Sequence, residues 1–395
     1  MPAVLLLLVA AYAVAMLLRG VPDAAVAATQ RTEAFPGTRV ALTWPARGEA
    51  AVGVEGVGLT GAHGSSRPTP IASIAKVMTA YLVLRNHPLR RDRTGPLITV
   101  HPTDVAVYRA DRASGQSVLD VQAGERLTER QALEGLLLPS GDNIATLLAR
   151  WDAGSEAAFV GKMNALARAL GLTHTRYTDA SGVQARTIST AGDQVRLAIV
   201  ALKLRVFRQI VAMTQVTLPV AGRQYNVDGL LGRDGIVGVK TGSTSRAGGC
   251  FVFAAHERLA GRSVTVVGAV LHQLATRTQP SIIEAAFDAS TDLLASTRHH
   301  LLKLHVVRRG ATLAWVKTAW SDRVAVRAAG SASLVGWPGL PIRASIVSRH
   351  LAAPLNAGQG VGTAVVTAGE QRVRVRLVVS RAVPGASLAW RLTHP

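Results

Sequence analysis

The chain opens on an apolar run, Ala3 to Leu18, closed by Arg19 and followed by the small residues Ala24-Ala25-Val26-Ala27-Ala28. The run is short for a bilayer-spanning helix and the small residues have signal-cleavage spacing, so residues 1–30 read as a signal peptide or an N-terminal membrane anchor. A leader carries Lys or Arg ahead of its apolar run, yet here Arg19 follows it. The expectation is therefore that the true start lies upstream. Arg39 to Trp44 and Ala51 to Leu59 then predict two strands joined by a turn around Pro45 to Gly48, and the polar stretch Gly61 to Pro70 ends them. Ile71 to Leu84 predicts a helix apolar on most sides, its start marked by Pro70. A second helical stretch, Thr128 to Trp151, is broken by Pro139-Ser140-Gly141, and a third, Ser155 to Leu170, ends at Gly171. Further on, Arg233-Asp234-Gly235 signals a turn, followed by a strand from Ile236 to Lys240, a loop through Gly248-Gly249 and a returning strand from Cys250 to Ala255. Ser263 to Leu271 reads as a third, central strand. Pro280 to Thr297 predicts a helix that closes this part of the chain near residue 300. Beyond it, Val-rich alternation such as Arg372-Val373-Arg374-Val375-Arg376-Leu377, punctuated by Gly and Pro, predicts a small antiparallel β domain.

A length of 395 residues with 48% hydrophobic side chains accommodates two or three cores. The expected division is a leader over 1–30, an α/β domain over 31–299 and a basic β domain over 300–395. The lone Cys250 excludes an intrachain disulfide and lies in an apolar run, which reads as a small buried residue. Formal charge is +20, and the last quarter, from Thr297, holds 14 Lys and Arg against only Asp322 and Glu370. Such an excess favours anionic partners, either wall polymer or the membrane surface, beside the plainer reading of an arginine-rich soluble surface. Nucleic acid fits less well, because aromatic residues make up 4% of the chain and no aromatic RNA-binding signature or basic helix is present. The 11 histidines are scattered, without a His-Glu-x-x-His pair, a cysteine cluster or a phosphate-binding Gly-rich loop. No metal or cofactor is expected.

Three short motifs carry candidate chemistry. In Ser73-Ile74-Ala75-Lys76, at a helix start, residues three apart share one face, so the Lys76 amine can reach the Ser73 hydroxyl. A serine nucleophile needs such a base, and burial can leave a lysine neutral enough to act. Pro139-Ser140-Gly141-Asp142-Asn143 interrupts apolar helices with small polar side chains; on its own it also reads as an ordinary helix cap. Lys240-Thr241-Gly242, at the end of an apolar strand, offers a cation and a hydroxyl to a carboxylate, with Gly242 letting substrate approach the backbone. By itself it also reads as a solvated hairpin tip.

In order and spacing, 67 residues from Ser73 to Ser140 and 100 from Ser140 to Lys240, the three resemble the motif set of penicillin-binding proteins and serine β-lactamases. The surrounding segments, Arg67 to Tyr81, Ser114 to Asn143, Leu170 to Thr175 and Asp234 to Cys250, resemble the low-molecular-weight D-alanyl-D-alanine carboxypeptidases in particular. That resemblance implies a β-lactamase/transpeptidase-like α/β domain, an antiparallel sheet flanked by helices plus a helical region, followed by a small all-β domain. It implies an extracytoplasmic enzyme that acts on peptidoglycan peptides ending in D-Ala-D-Ala and is inhibited covalently by β-lactams. By position, Ser73 is the nucleophile, Lys76 the base and Ser140 a proton relay. Lys240 and Thr241 hold the terminal carboxylate, and the N–H groups of Ser73 and Ser243 form the oxyanion hole. Arg277 is a weaker candidate for the carboxylate. One departure stands out: the family expects asparagine where this chain has Asp142, with Asn143 one place on. An ionised carboxylate only accepts hydrogen bonds and favours the ammonium form of Lys76. Either the activity optimum shifts toward alkaline pH or Asn143 fills the role. A serine β-lactamase and a non-catalytic peptidoglycan-binding scaffold are the alternative readings.

Overall fold

The computed structural model describes residues 2–27, 31–38, 40–64, 67–90, 93–348 and 351–394. Ala28, Arg39, Ser65 and Ser66, which belong to the expected leader, first strand and polar stretch, lie outside the described residues. The chain divides into two compact units, 41–300 and 1–40 together with 301–395.

In the unit 41–300, five antiparallel strands stand in the order Ile236–Thr244, Gly248–Leu259, Arg262–Gln273, Glu49–Val54, Gly58–His63. The strand expected over Ser263 to Leu271 is indeed central. Both faces of the sheet are covered, which is why its strands read as apolar runs rather than as alternation. Cys250, Val252 and Ala254 join the core built by the helical region. Phe251, of the opposite parity, meets Phe287 of the helix Ile282–His300 edge-on, with ring centroids 5.1 Å apart. That helix buries Ala286, Phe287, Ser290, Leu293, Leu294 and Thr297, one stripe at helical spacing.

Two expectations near the start of this unit need correction. Residues 40–44 form no strand, and Trp44 instead stacks on His63 at 5.6 Å. The strand expected over Ala51 to Leu59 is two strands, because the chain reverses at Glu55-Gly56, where the Val57 N–H donates to the Val54 carbonyl at 2.9 Å. The helical stretch 128–151 does divide, into Glu129–Leu137 and Asp142–Ala153, and Ser155 caps the helix Glu156–Ala169. The strand expected to stop at Lys240 continues through Thr241 and Gly242 to Thr244, so the third motif lies within the sheet's edge strand rather than in a loop.

The other unit carries a seven-stranded antiparallel sheet in the order Ala25–Ala27, Thr312–Lys317, Val324–Ala328, Gln371–Val379, Gly360–Ala368, Pro341–Ser348, Arg31–Ala34. A second pair, Leu302–Val307 with Ala332–Gly336, accompanies it. Residues 31–40, expected with the α/β domain, belong here instead, because Arg31–Ala34 completes the sheet edge by pairing with 341–344. Residues Ala25–Ala27, read from sequence as part of the cleavage region, pair with 315–317. The apolar helix Pro2–Leu18 leaves Leu6, Leu7 and Leu8 exposed, and among the described residues no helix is long and apolar enough to cross a membrane.

Gly268 sits opposite Phe253 across two neighbouring strands, where a Cβ would lie 2.2 Å from the phenyl Cζ. Gly268→Ala should therefore cost about 1–3 kcal/mol through overpacking, seen as a lower urea or thermal midpoint. Adding Phe253→Leu should recover part of that loss, a coupling of about 0.5–3 kcal/mol.

Candidate active site

The site begins with a turn that cannot relax. Ala72 has φ +47°, a left-handed conformation that a non-glycine residue adopts only at a cost. It opens the 3-10 turn Ala72–Ala75, which runs directly into the helix Lys76–Asn86. Two glycines hold this turn. A Cβ at Gly182, itself at φ +89°, would fall 1.8 Å from the Ala72 carbonyl oxygen, and one at Gly242 would fall 2.9 Å from the Ser73 nitrogen. Gly242 was expected to make room for substrate; the atoms nearest the position of its missing Cβ are those of the turn that carries Ser73. Ser73 is left half-buried between the buried Ala72 and Ile74.

Lys76 is completely buried (0% exposed). Its Nζ lies 2.6 Å from Ser73 Oγ, 2.5 Å from Asp142 Oδ1 and 3.2 Å from the Ser181 carbonyl. Burial pulls the lysine pKa below its ordinary value, opposed chiefly by the Asp142 carboxylate. Asp142 reaches Lys76 from the first turn of the helix Asp142–Ala153, where a carboxylate is favoured by the helix dipole. The approach to that helix is bent: Ser140 is buried with φ +68°, and the Asp142 N–H donates to the Ser117 carbonyl at 2.7 Å.

Asn143 does not take the place of the family asparagine. Its carboxamide accepts from the Leu119 N–H and donates to the Leu119 carbonyl, both at 2.9 Å, in a buried two-point clamp. One residue along a helix is about a 100° rotation, so the side chain beside Asp142 faces a different neighbour.

A loop that sequence reading missed forms the site's floor. Asp179 accepts from the Ser181 hydroxyl and from the N–H groups of Gly182 and Val183, each at 2.8 Å, and from the Thr187 hydroxyl. Thr79 Oγ1 donates to the Ala180 carbonyl at 2.6 Å, and Glu156 accepts from the Ala180 N–H at 2.9 Å. The loop is thereby set so that the Ser181 carbonyl faces Lys76. Its signal was Asp179-Ala180-Ser181-Gly182, an Asx-type turn composition that reads as an ordinary loop.

Lys240 is 2% exposed, and its ammonium donates to the Thr241 carbonyl at 3.0 Å. Burial, and then repulsion from Lys76, lower its pKa to about 7, while Asp142 and Asp228 raise it. Asp228, also missed in the sequence, is pushed up to about 6 by burial, and its Oδ2 is buried with no hydrogen-bond partner. A buried cation held by a carbonyl alone is well suited to an incoming anion. Thr241 is buried beside it and Ser243 is exposed. Arg277 lies exposed on the loop after the central strand, and among the described residues no hydrogen bond or ion pair ties it to this site.

A buried amine touching a half-exposed hydroxyl, a buried cation nearby and two rigid turns form the outline of a serine acyl-transfer site. A family model described as D-alanyl-D-alanine carboxypeptidase matches residues 60–271. The chain is similar to a D-alanyl-D-alanine carboxypeptidase of a Streptomyces species, 35% identical over 216 residues, which are 50% of this chain and 71% of that protein. It is also similar to a D-alanyl-D-alanine carboxypeptidase of Escherichia coli, 27% identical over 313 residues, 74% of this chain and 72% of that one. Among solved structures, penicillin binding protein 5 from Haemophilus influenzae matches with a TM-score of 0.59 and 19% identity, covering 88% of this chain and 100% of that one. This last likeness is one of fold.

Asp142→Asn removes the charge that most strongly keeps Lys76 protonated, so the lysine pKa falls further. For a reaction in which Lys76 takes the Ser73 proton, the amine acts only when deprotonated, so the rising acidic limb of the rate of covalent modification at Ser73 should move to lower pH in the variant. Superimposable pH profiles would show that Asp142 does not govern Lys76.

Proposed function

We propose a catalytic cycle for this chain on the ground that it belongs to the D-alanyl-D-alanine carboxypeptidase family, whose members are serine peptidases. Neutral Lys76 takes the proton of Ser73 as Oγ attacks the carbonyl carbon between two D-alanine residues of a peptidoglycan stem peptide. The negative oxygen of the tetrahedral intermediate is received by the N–H groups of Ser73 and Ser243. Lys76 returns that proton through the Ser140 hydroxyl to the leaving amine, the terminal D-alanine departs, and an ester remains on Ser73 beside a neutral Lys76. Lys76 then takes a proton from a water molecule as it attacks the ester, and gives it to Ser73 Oγ as the trimmed peptide leaves. Throughout the first half, Lys240 and Thr241 hold the terminal carboxylate. The observation that carries this reading is the 2.6 Å contact between Ser73 Oγ and the amine of a fully buried lysine whose pKa burial depresses. A β-lactam presents a strained amide and a carboxylate to the same groups, so it acylates Ser73 and blocks the site.

The substrate polymer lies outside the cytoplasm, and the apolar segment 2–18 supplies the route there, as a leader or as an anchor. The basic C-terminal unit then keeps the enzyme close to anionic wall material or membrane.

Covalent labelling with a fluorescent penicillin tests the cycle: the native chain should label and Ser73→Ala should not. D-alanine release from a D-Ala-D-Ala peptide should be lost in the same variant. A native chain that fails to label would favour the scaffold reading, in which Asp142 fixes Lys76 as an ammonium. Faster hydrolysis of penicillin than of peptide would favour a β-lactamase. Lys240→Ala should lower kcat/KM by about tenfold to a hundredfold, the loss of a charged hydrogen bond of about 1.5–3 kcal/mol. Because Lys240 titrates at about 7 and must be charged to hold a carboxylate, kcat/KM should fall as pH rises past that value. Asp228→Asn, which removes a charge that raises Lys240, should move this descending limb to lower pH.

A further inference from the structure

We propose that the outward face of the seven-stranded sheet is a docking surface for a linear phosphodiester polymer. The strand register builds this face. Residues paired across antiparallel strands point to the same side of a sheet, and alternate residues along a strand share a side. Along Gln371–Val379, Arg372, Arg374 and Arg376 are exposed while Val375, Leu377 and Val379 are buried. Arg372 pairs with Thr367, which pairs in turn with Arg343. Arg374 pairs with Val365, and Arg376 with Thr363. On the other flank Val378 pairs with Arg327, and Ala325, two residues before it, pairs with Trp315, two residues from Lys317. Six cations, Lys317, Arg327, Arg343, Arg372, Arg374 and Arg376, are therefore exposed on one side of one sheet.

Among the described residues no ion pair neutralises them, and the carboxylate nearest in sequence, Glu370, lies in the turn before Arg372. The only carboxylate within the strands of the sheet is Glu33, which pairs with the buried Ile342 and so belongs to the other side. Neighbouring arginines on one strand are about 6.8 Å apart, within the screening length of about 8 Å at physiological salt, so they repel one another. An anion relieves that repulsion, and a guanidinium fork matches phosphate oxygens in pairs. The row is linear and evenly spaced, and its gaps hold the hydroxyls of Thr363, Thr367 and Ser345. A chain with one phosphate per repeat can follow such a row charge by charge. A bilayer surface would need apolar side chains to insert, and here only Val347 and Trp315 are large, apolar and exposed.

The test uses the full chain and long-chain linear polyphosphate as probe, with binding followed across a salt series. Flexible single-stranded polyanions lose log affinity with log salt at about 0.7 per phosphate neutralised. Replacing Arg372, Arg374 and Arg376 together by Ser should weaken binding at least tenfold and flatten the salt slope by about two. Replacing the same three by Lys should leave the slope near that of the native chain. An unchanged thermal midpoint and unchanged penicillin labelling of Ser73 confirm that each variant is folded. The proposal is overturned if the Ser variant binds polyphosphate like the native chain, or if the Lys variant loses the slope as well. Phosphatidylglycerol vesicles bound as tightly as polymer and through the same arginines would assign the face to a lipid surface instead. Displacement of the polymer by an equal phosphate concentration of inorganic phosphate would reduce it to a simple anion site.

Discussion

The whole site depends on an amine that has been taken out of water. Lys76 Nζ is surrounded by three oxygens, those of Ser73, Asp142 and Ser181, and an ammonium has three donors and no acceptor. The charged form is thus fully satisfied. The neutral form is satisfied as well: two N–H groups serve Asp142 and the Ser181 carbonyl, and the lone pair accepts the Ser73 O–H. Only the direction of one hydrogen bond changes, and in that second state the serine proton points at the amine. Since neither state strands a polar atom, the balance between them is left to desolvation against the charge of Asp142.

That arrangement requires distant parts of the chain to arrive within hydrogen-bond reach. Ser73 and Lys76 are one helical turn apart, but Asp142 lies 66 residues and Ser181 105 residues from Lys76. Each arrives on a rigid support. Asp142 sits in the first turn of a helix whose entry is fixed through Ser117 and Leu119, and Ser181 on a loop whose carboxylate, Asp179, gathers the surrounding N–H groups. The sheet's edge strand presses Gly242 against the turn that carries Ser73, so the strand that carries Lys240 and the helix that carries Lys76 are fixed to each other by backbone contact. Small residues at 182 and 242 are what let these elements come so close, and larger ones would displace the turn that carries Ser73.

Much of this was legible in the chain, and what was not has a physical reason. Ser73 and Lys76 could be read together because one helical turn links them, Ser140 stood out as a break between helices, and Lys240 stood out as a cation in an apolar strand, although that strand runs on past it to Thr244. The central strand was plain as a long apolar run, and the helix Ile282–His300 as a long stretch with helical periodicity. Asp142 and Asn143 are harder, because which of two adjacent side chains faces a site depends on helix phase, and the clamp on Leu119 that sets this phase is a tertiary contact. The Asp179 loop and Asp228 carry no spacing signal, since their partners are brought in by the fold. Residues 31–34 were misplaced because their pairing with 341–344 spans most of the chain. The hairpin at Glu55-Gly56 was missed because both of its arms are apolar or small, leaving only a glycine-rich stretch to mark the reversal.

The proposed cycle places opposite demands on two buried lysines in the same surroundings: it needs Lys76 to lose its proton and Lys240 to keep its own. Burial lowers both. Their mutual repulsion helps, because a neutral Lys76 no longer opposes the charge on Lys240, so the productive distribution of protons is also the one with less repulsion. The carboxylates break the remaining symmetry. Asp142 favours charge on both lysines, Asp179 and Asp111 on Lys76, and Asp228 on Lys240. Burial pushes Asp228 up to about 6 and Lys240 down to about 7, so the two groups titrate close together. A carboxylate bound beside Lys240 would add an opposite charge and favour its protonated form, while Asp142 remains the group that most strongly favours the ammonium form of Lys76.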